Sequence, residues 1–232
     1  KEDWVMDNFG FDPYGKKAMV QTAENVAKRE GITKEEQDEV AYLRSEQYKK
    51  ALADDRKFQK KYMLNVELKN KKGKVLKAVE TDEGVFASTP EGLAKLRPVM
   101  PDGTVSFGTQ TYPADGNAGM ILASKEKAAE LSKDKNVTIQ LLSTSQARVE
   151  KAHMPAANEP AVKLALKRAG IGVADLKACT THTPFAVNDV FLARKLEKPF
   201  DWFNRYGCSL VWGHPQGPTG LRSIIELIEE LA

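Results

Sequence analysis

The sequence predicts an α/β protein with a layered sheet. Short apolar segments of strand length alternate with segments whose apolar residues recur at helical spacing, the pattern of stacked sheet and helix layers. The junctions carry cap and turn residues. The 232 residues are 41% hydrophobic and 29% charged, ordinary for a globular protein and enough to bury a sizeable core.

The elements follow in order. "TAENVAKREG" reads as a short helix closed by Gly31, and "TKEEQDEVAYLRSEQYKKAL" as a long charged helix opened by a capping box of Thr33 and Glu36. "YMLNVELKNKKGKVLKAV" reads as two strands around a Gly-containing turn, with Lys69 to Lys74 as a solvated tip. "GTVSFG" and "GMILAS" read as strands flanking the loop "TQTYPADGN", then "KEKAAELS" as a helix and "NVTIQLLS" as a strand. "NEPAVKLALKRAG" is a helix with Asn158 or Glu159 at its cap, Pro160 at its first position and Gly170 at its end. Its apolar face is Val162, Ala165, Leu166 and Ala169. "LKACTTH" reads as a strand, "FAVNDVFLARKLE" as a helix, "CSLVW" as a strand and 221–231 as a helix. That last helix carries Leu221, Ile224, Ile225, Ile228 and Leu231 as a stripe expected to be buried. Residues 1–80, charged and loop-rich, read as an excursion from the core.

Composition narrows the function classes. Basic and acidic residues number 35 and 32, a mixed surface, and the lysine run lacks the aromatic interleaving of a nucleic-acid interface. Cys179 and Cys208 offer neither a disulfide framework nor metal-ligand spacing, so a reducing, cytoplasmic setting and no metal are expected. No apolar run approaches membrane-spanning length. The opening "KEDWVMDNFGFDPYGKK" reads as a loop joined in mid-protein, which points to a piece of a longer chain.

Two strand–loop–helix junctions hold histidines: "CTTHTPFAVND" with His182 and "LVWGHPQGPTG" with His214. In α/β sheets ligands gather at such junctions, and a neutral imidazole moves protons near neutral pH. Two of them could divide base and oxyanion-donor roles. Taken alone, a single loop histidine is more often a surface or structural residue, and His153 in "EKAHMP" belongs in that class.

Five ordered segments resemble the thiolase family. "QTAENVAKREGITKEEQDEVAYLRSEQYKKA" is similar to its loop domain, "DGTVSFGTQTYPADGNAG" to the segment after it, and "PAVKLALKRAGIGVADL", "HTPFA" and "GHPQGPTGLR" continue the match. The resemblance implies the thiolase-like layered α-β-α-β-α fold, here incomplete, with a loop-rich subdomain covering coenzyme A. It implies a loop domain over residues 1–100, the end of the N-terminal core half over 101–150 and a truncated C-terminal half over 151–232. His214 matches the histidine of the thiolase G-H-P motif, which activates the nucleophilic cysteine. His182 matches the asparagine of N-E-A-F, whose bound water contributes to the oxyanion hole, and Thr183 replaces that motif's Glu. Histidine at this position occurs in other thiolase branches, where it donates directly. Thr111 falls where the family places a pantetheine-contacting serine, with Phe107 and Gly108 before it, and Met19 falls where a methionine packs on pantetheine. Core packing is the other reading of Met19 and Phe107.

The resemblance places the nucleophilic cysteine upstream of Lys1 and a second catalytic cysteine, in a C-x-G motif, beyond Ala232. It implies an acyltransferase that cleaves or forms 3-oxoacyl-CoA through a cysteine acyl-enzyme. Coenzyme A is then a co-substrate and no cofactor is tightly bound. A homodimer is implied. The His-Thr-Pro-Phe form with "GHPQGPTG" resembles a divergent branch, some of whose members work with a small OB-fold and zinc-ribbon subunit and act on bulky or aromatic acyl-CoAs. The alternative is a non-catalytic thiolase-like subunit that binds acyl-CoA or scaffolds a partner.

Overall fold

The computed structural model describes residue 7 and residues 9–232; the expectation for the opening stretch falls in part on residues outside this range. Helix α1 spans Met19–Glu30, beginning three residues before the reading, and ends at Gly31 in the left-handed conformation (φ 62°) that glycine adopts without strain. Helix α2 is Lys34–Arg56. Its capping box is formed as expected, with Glu36 N donating to Thr33 Oγ1 and Thr33 N to Glu36 Oε2 at 2.9 Å. Its regular part stops near Leu52, because Ala53, Asp54 and Asp55 leave helical geometry.

Strands β1 (Val66–Lys69) and β2 (Val75–Val79) form the expected antiparallel hairpin. It is exposed along nearly its whole length. Helices α3 (Pro90–Lys95) and α4 (Lys125–Leu131) follow, then α5 (Asn158–Ala169), α6 (Ala186–Leu196), the one-turn α7 (Ser209–Trp212) and α8 (Gly217–Leu231).

The main core joins α1, α2 and α6. Ala23, Val26, Ala27, Val40 and Ala41 pack on Phe185, Val187, Val190 and Phe191. Among the described residues up to 80, α1 and α2 are thus part of the core rather than an excursion from it, while the hairpin stands clear. Helix α6 is enclosed on nearly all sides, as a helix apolar around most of its circumference should be. Its one acid, Asp189, must then be paired. Arg44 of α2, fully buried, donates from Nε to Asp189 Oδ2 at 2.8 Å and from Nη1 to Gln47 and to the carbonyls of Phe200 and Phe203. Thr181 and Thr183 donate their hydroxyls to Asp189 Oδ1 at 3.0 and 2.9 Å. A buried pair without such added hydrogen bonds would not offset its desolvation.

Several elements differ from the sequence reading. The hairpin is the only sheet among the described residues. Residues 103–108 make one bridge, Pro98 to Ser106, because the Glu24 carboxylate takes the Thr104 and Val105 N–H groups that a ladder would use. Residues 119–124 and 136–143 form no strand and have no ladder partners, with Ile121 and Leu141 at 81% and 64% exposure, and 176–182 makes one bridge, Cys179 to Phe203. An apolar strand pattern marks surface to be buried, and these segments have no strand beside them. "CSLVW", read as a strand, is α7: Val211 and Trp212 N–H groups turn back to Cys208 O. Helix α5 begins at Asn158 itself after Ala157, without a side-chain cap, which puts Pro160 third. Helix α8 begins four residues before 221, and its apolar stripe is not its buried face. Thr219, Ser223 and Glu226 are buried instead, while Ile224 and Leu231 are exposed.

The polar side of α8 faces in because it completes an ion cluster. Arg222 donates to Asp82 at 2.8 Å and Glu226 at 2.9 Å, and its guanidinium lies 4.0 Å from the centre of the Trp212 ring. Tyr48 donates to Asp82, and Tyr62 to Glu226, both at 2.7 Å. Burial raises the Glu226 pKa, while Arg222 stays charged, its pKa raised well above the usual value against an opposing burial effect by its bonds to Asp82 and Glu226. The cluster anchors both helices that flank His214.

Candidate active site

Three chain segments meet beside α6 and α7. The extended run 109–113 is the middle one. On one side Thr111 N donates to Pro184 O (2.8 Å) and Ala186 N to Thr109 O (2.9 Å), with Gln110 bridged to Phe185. On the other, His214 N donates to Tyr112 O (2.8 Å), and Pro113 bridges to His214. This threading brings two histidines, distant in sequence, to ring centroids 4.2 Å apart with planes 27° from parallel. His153 lies elsewhere, bonded through Nδ1 to the Lys151 carbonyl.

Each ring is held at Nδ1 by a hydroxyl. His182 Nδ1 meets Ser209 Oγ at 2.6 Å and His214 Nδ1 meets Thr219 Oγ1 at 2.6 Å. Both Nε2 atoms make no hydrogen bond among the described residues, so they are the nitrogens open to a ligand. Gly213 makes the turn into His214 with φ 87°, and a Cβ there would meet Tyr112 Cε2 at 2.9 Å and Ala114 Cβ at 2.8 Å. Only glycine fits that turn beside Tyr112.

Burial, then the neighbouring His214, pushes the His182 pKa down to about 3, and burial lowers that of His214. Both imidazoles are therefore neutral at neutral pH, fit to accept a proton or donate an N–H. The same shifts set a stability slope. The unfolded chain protonates these rings below about pH 6.5, while the folded chain resists it. Stability is thus full above that value and is lost as pH falls toward the folded pKa of His182, about 3. Urea midpoints of the full-length protein should fall between about pH 7 and pH 4.5, less steeply in His182→Gln. Equal slopes would contradict the assignment.

Thr111 is tied to the pair through Ser209: its hydroxyl donates to the Ser209 carbonyl at 2.6 Å. Its proton is committed there, which leaves it an acceptor. Phe107, on the same loop, is 74% exposed among the described residues. A Cβ on Gly108 would meet Leu93 and Leu96 side chains at 2.4 and 2.7 Å, so this turn lies close over α3. Met19, the first residue of α1, packs against the main core. Thr183 reaches Asp189 rather than the ring pair. The sequence reading missed Ser209, Thr219 and Tyr112. The signal for Ser209 was a lone hydroxyl in an apolar run, and for Thr219 a hydroxyl one turn beyond the histidine.

The cysteines do not join this site. Burial pushes both thiols up to about 12, so neither is the thiolate that nucleophilic attack requires. No group of three or more His, Cys, Asp or Glu fit to hold a metal occurs among the described residues. None of their helices is long and apolar enough to cross a membrane.

Comparison with known proteins decides the family. The families "Thiolase, N-terminal domain" and "Thiolase, C-terminal domain" match residues 2–126 and 135–232. The chain belongs to the thiolase family. It is 32% identical over 222 residues to a beta-ketoadipyl-CoA thiolase of Acinetobacter baylyi, covering 94% of this chain and 54% of that protein. It is 35% identical over 215 residues to the human peroxisomal 3-ketoacyl-CoA thiolase, covering 90% and 50%. The crystal structure of the Bacillus anthracis acetyl-CoA acetyltransferase superposes with a TM-score of 0.88 at 30% identity, over 99% of this chain and 57% of that one. A human mitochondrial 3-ketoacyl-CoA thiolase in complex with CoA gives 0.75 at 28%, over 93% and 53%. The chain thus has the thiolase fold and spans about half the length of the relatives it matches. Its thiolase relatives are acyltransferases, some of them named as peroxisomal or mitochondrial.

Proposed function

We propose that this chain carries the base and the oxyanion donor of a thiolase-type acyltransferase. The observation that carries the proposal is the pair of neutral histidines, stacked at 4.2 Å with both Nε2 atoms free. A cysteine outside residues 1–232 attacks the ketone carbon of a 3-oxoacyl-CoA, and His214 Nε2 takes the thiol proton. The developing oxyanion meets the N–H of His182, a kind of contact worth several kcal/mol in a water-poor site. The bond between the 2- and 3-carbons breaks, its electron pair takes a proton, and an acyl-CoA leaves. The thiol of a second CoA then displaces the acyl group from the enzyme cysteine. Condensation runs the same steps backward.

Thr111, Phe107, Gly108 and Met19 are proposed to line the pantetheine arm, under a loop domain of residues 1–100. Residues 101–150 and 151–232 belong to the two core halves. The exposure of Phe107 and the acceptor oxygen of Thr111 support the first part of this reading. We assign the active protein to the cytoplasm as a homodimer, with a small OB-fold and zinc-ribbon subunit as partner. The alternative, a non-catalytic acyl-CoA-binding or scaffolding subunit, retains Thr183 as its support, since this residue is tied into the α6 network and replaces a catalytic Glu.

Substrate choice is tested by thiolysis with acetoacetyl-CoA and a set of aryl 3-oxoacyl-CoAs. The divergent-branch reading predicts a higher kcat/KM for the aryl thioesters. A clear preference for acetoacetyl-CoA removes it. Binding of all of them without cleavage supports the non-catalytic alternative.

A further inference from the structure

Ser209 is wholly buried, and its hydroxyl has two hydrogen-bond partners among the described residues. The Thr183 N–H donates to Ser209 Oγ at 3.0 Å, which occupies one lone pair. On the oxygen's other side stands His182 Nδ1 at 2.6 Å. Two proton arrangements are conceivable there. If Nδ1–H donated to Oγ, the serine O–H would need another acceptor, and none is within reach among the described residues. A buried hydroxyl left so is unfavourable. If the serine O–H donates to Nδ1, every group is satisfied. At His214 the ring nitrogen Nδ1 meets Thr219 Oγ1, which takes no backbone N–H and has no other partner among the described residues.

We infer that Ser209 is a positioning residue that holds His182 in the Nε2–H tautomer, making it a fixed hydrogen-bond donor and leaving proton abstraction to His214. Thr111 supports this geometry by binding the Ser209 carbonyl, and Cys208 and Ser209 start the turn that presents the hydroxyl. The inference rests on the proposed thiolase site for its consequence in catalysis, but its structural content stands apart from activity.

The test uses the full-length protein labelled with ¹⁵N-histidine, with the His182 signal assigned by its loss in His182→Gln. At neutral pH the wild type should show a pyridine-type Nδ1 and a pyrrole-type Nε2 at His182. Ser209→Ala should mix the tautomers and lower kcat for thiolysis about 10- to 100-fold, with KM changed by less than about two-fold. A pyrrole-type Nδ1 in the wild type overturns the inference. So does a Ser209→Ala protein with unaltered kcat and an unaltered single tautomer. Should Ser209→Ala fail to fold, the wild-type spectrum alone decides. A wild type with the expected tautomer and no thiolysis overturns the thiolase reading and keeps the Ser209 assignment.

Discussion

His214→Ala in the full-length protein should lower thiolysis about 10²- to 10⁴-fold, the usual loss when a general base is removed. The nitrogen lost is the one open to substrate, since Nδ1 is committed to Thr219. The fold should survive. The ring is only half-buried, and the bond that seats this residue is its backbone N–H to the Tyr112 carbonyl, which alanine keeps. Affinity for CoA thioesters should change by less than about three-fold, because the ring acts on the reacting carbonyl rather than on the carrier. Steady-state kinetics with equilibrium binding separates the two. Near-normal turnover would refute the role assigned to His214.

Asp189→Ala should destabilise the protein by about 3–5 kcal/mol, because it leaves the fully buried Arg44 charge without its acid. It also takes the acceptor from the Thr181 and Thr183 hydroxyls, and Thr183 is the residue whose N–H braces Ser209. Activity should therefore fall with stability. Replacing both partners, as Arg44→Met with Asp189→Leu, should recover part of the loss, since the uncompensated charge goes too. Urea denaturation of the two single variants and the double variant measures the coupling. If Asp189→Ala unfolds at the wild-type midpoint, the pair is not what holds α2 against α6.

Local signals were the most legible part of the fold. The Thr33–Glu36 capping box and the glycines after α1 and α5 act within a turn of chain, and each is formed as the sequence implied. Four apolar residues in "CSLVW" suit a buried strand or a helical turn equally, and only the Cys208 carbonyl, accepting from Val211 and Trp212, decides for the turn. The stripe on α8 was read correctly as helical and wrongly as buried. Periodicity reveals a face but not what covers it, and the Arg222–Asp82–Glu226 cluster claimed the polar face. Strand patterns at 119–124 and 136–143 depend on neighbours far away in sequence, which no local pattern supplies. The approach of His182 to His214 was not legible from either loop alone. It was implied by the ordered resemblance of the segments around them, and the thiolase fold agrees with that resemblance. Ser209 showed only as a lone hydroxyl in an apolar run, because its importance lies in a bond to a residue in another loop.

The proposed function makes this chain part of a protein that breaks carbon–carbon bonds by cysteine acyl transfer. It is tested most directly by incubating the full-length protein with a 3-oxoacyl-CoA and free CoA and identifying the products. Two acyl-CoA products should form in equal amounts, one of them shortened by two carbons, and turnover should cease when CoA is withheld. Tight binding of the substrate with no product formed across aryl and aliphatic 3-oxoacyl-CoAs would contradict it.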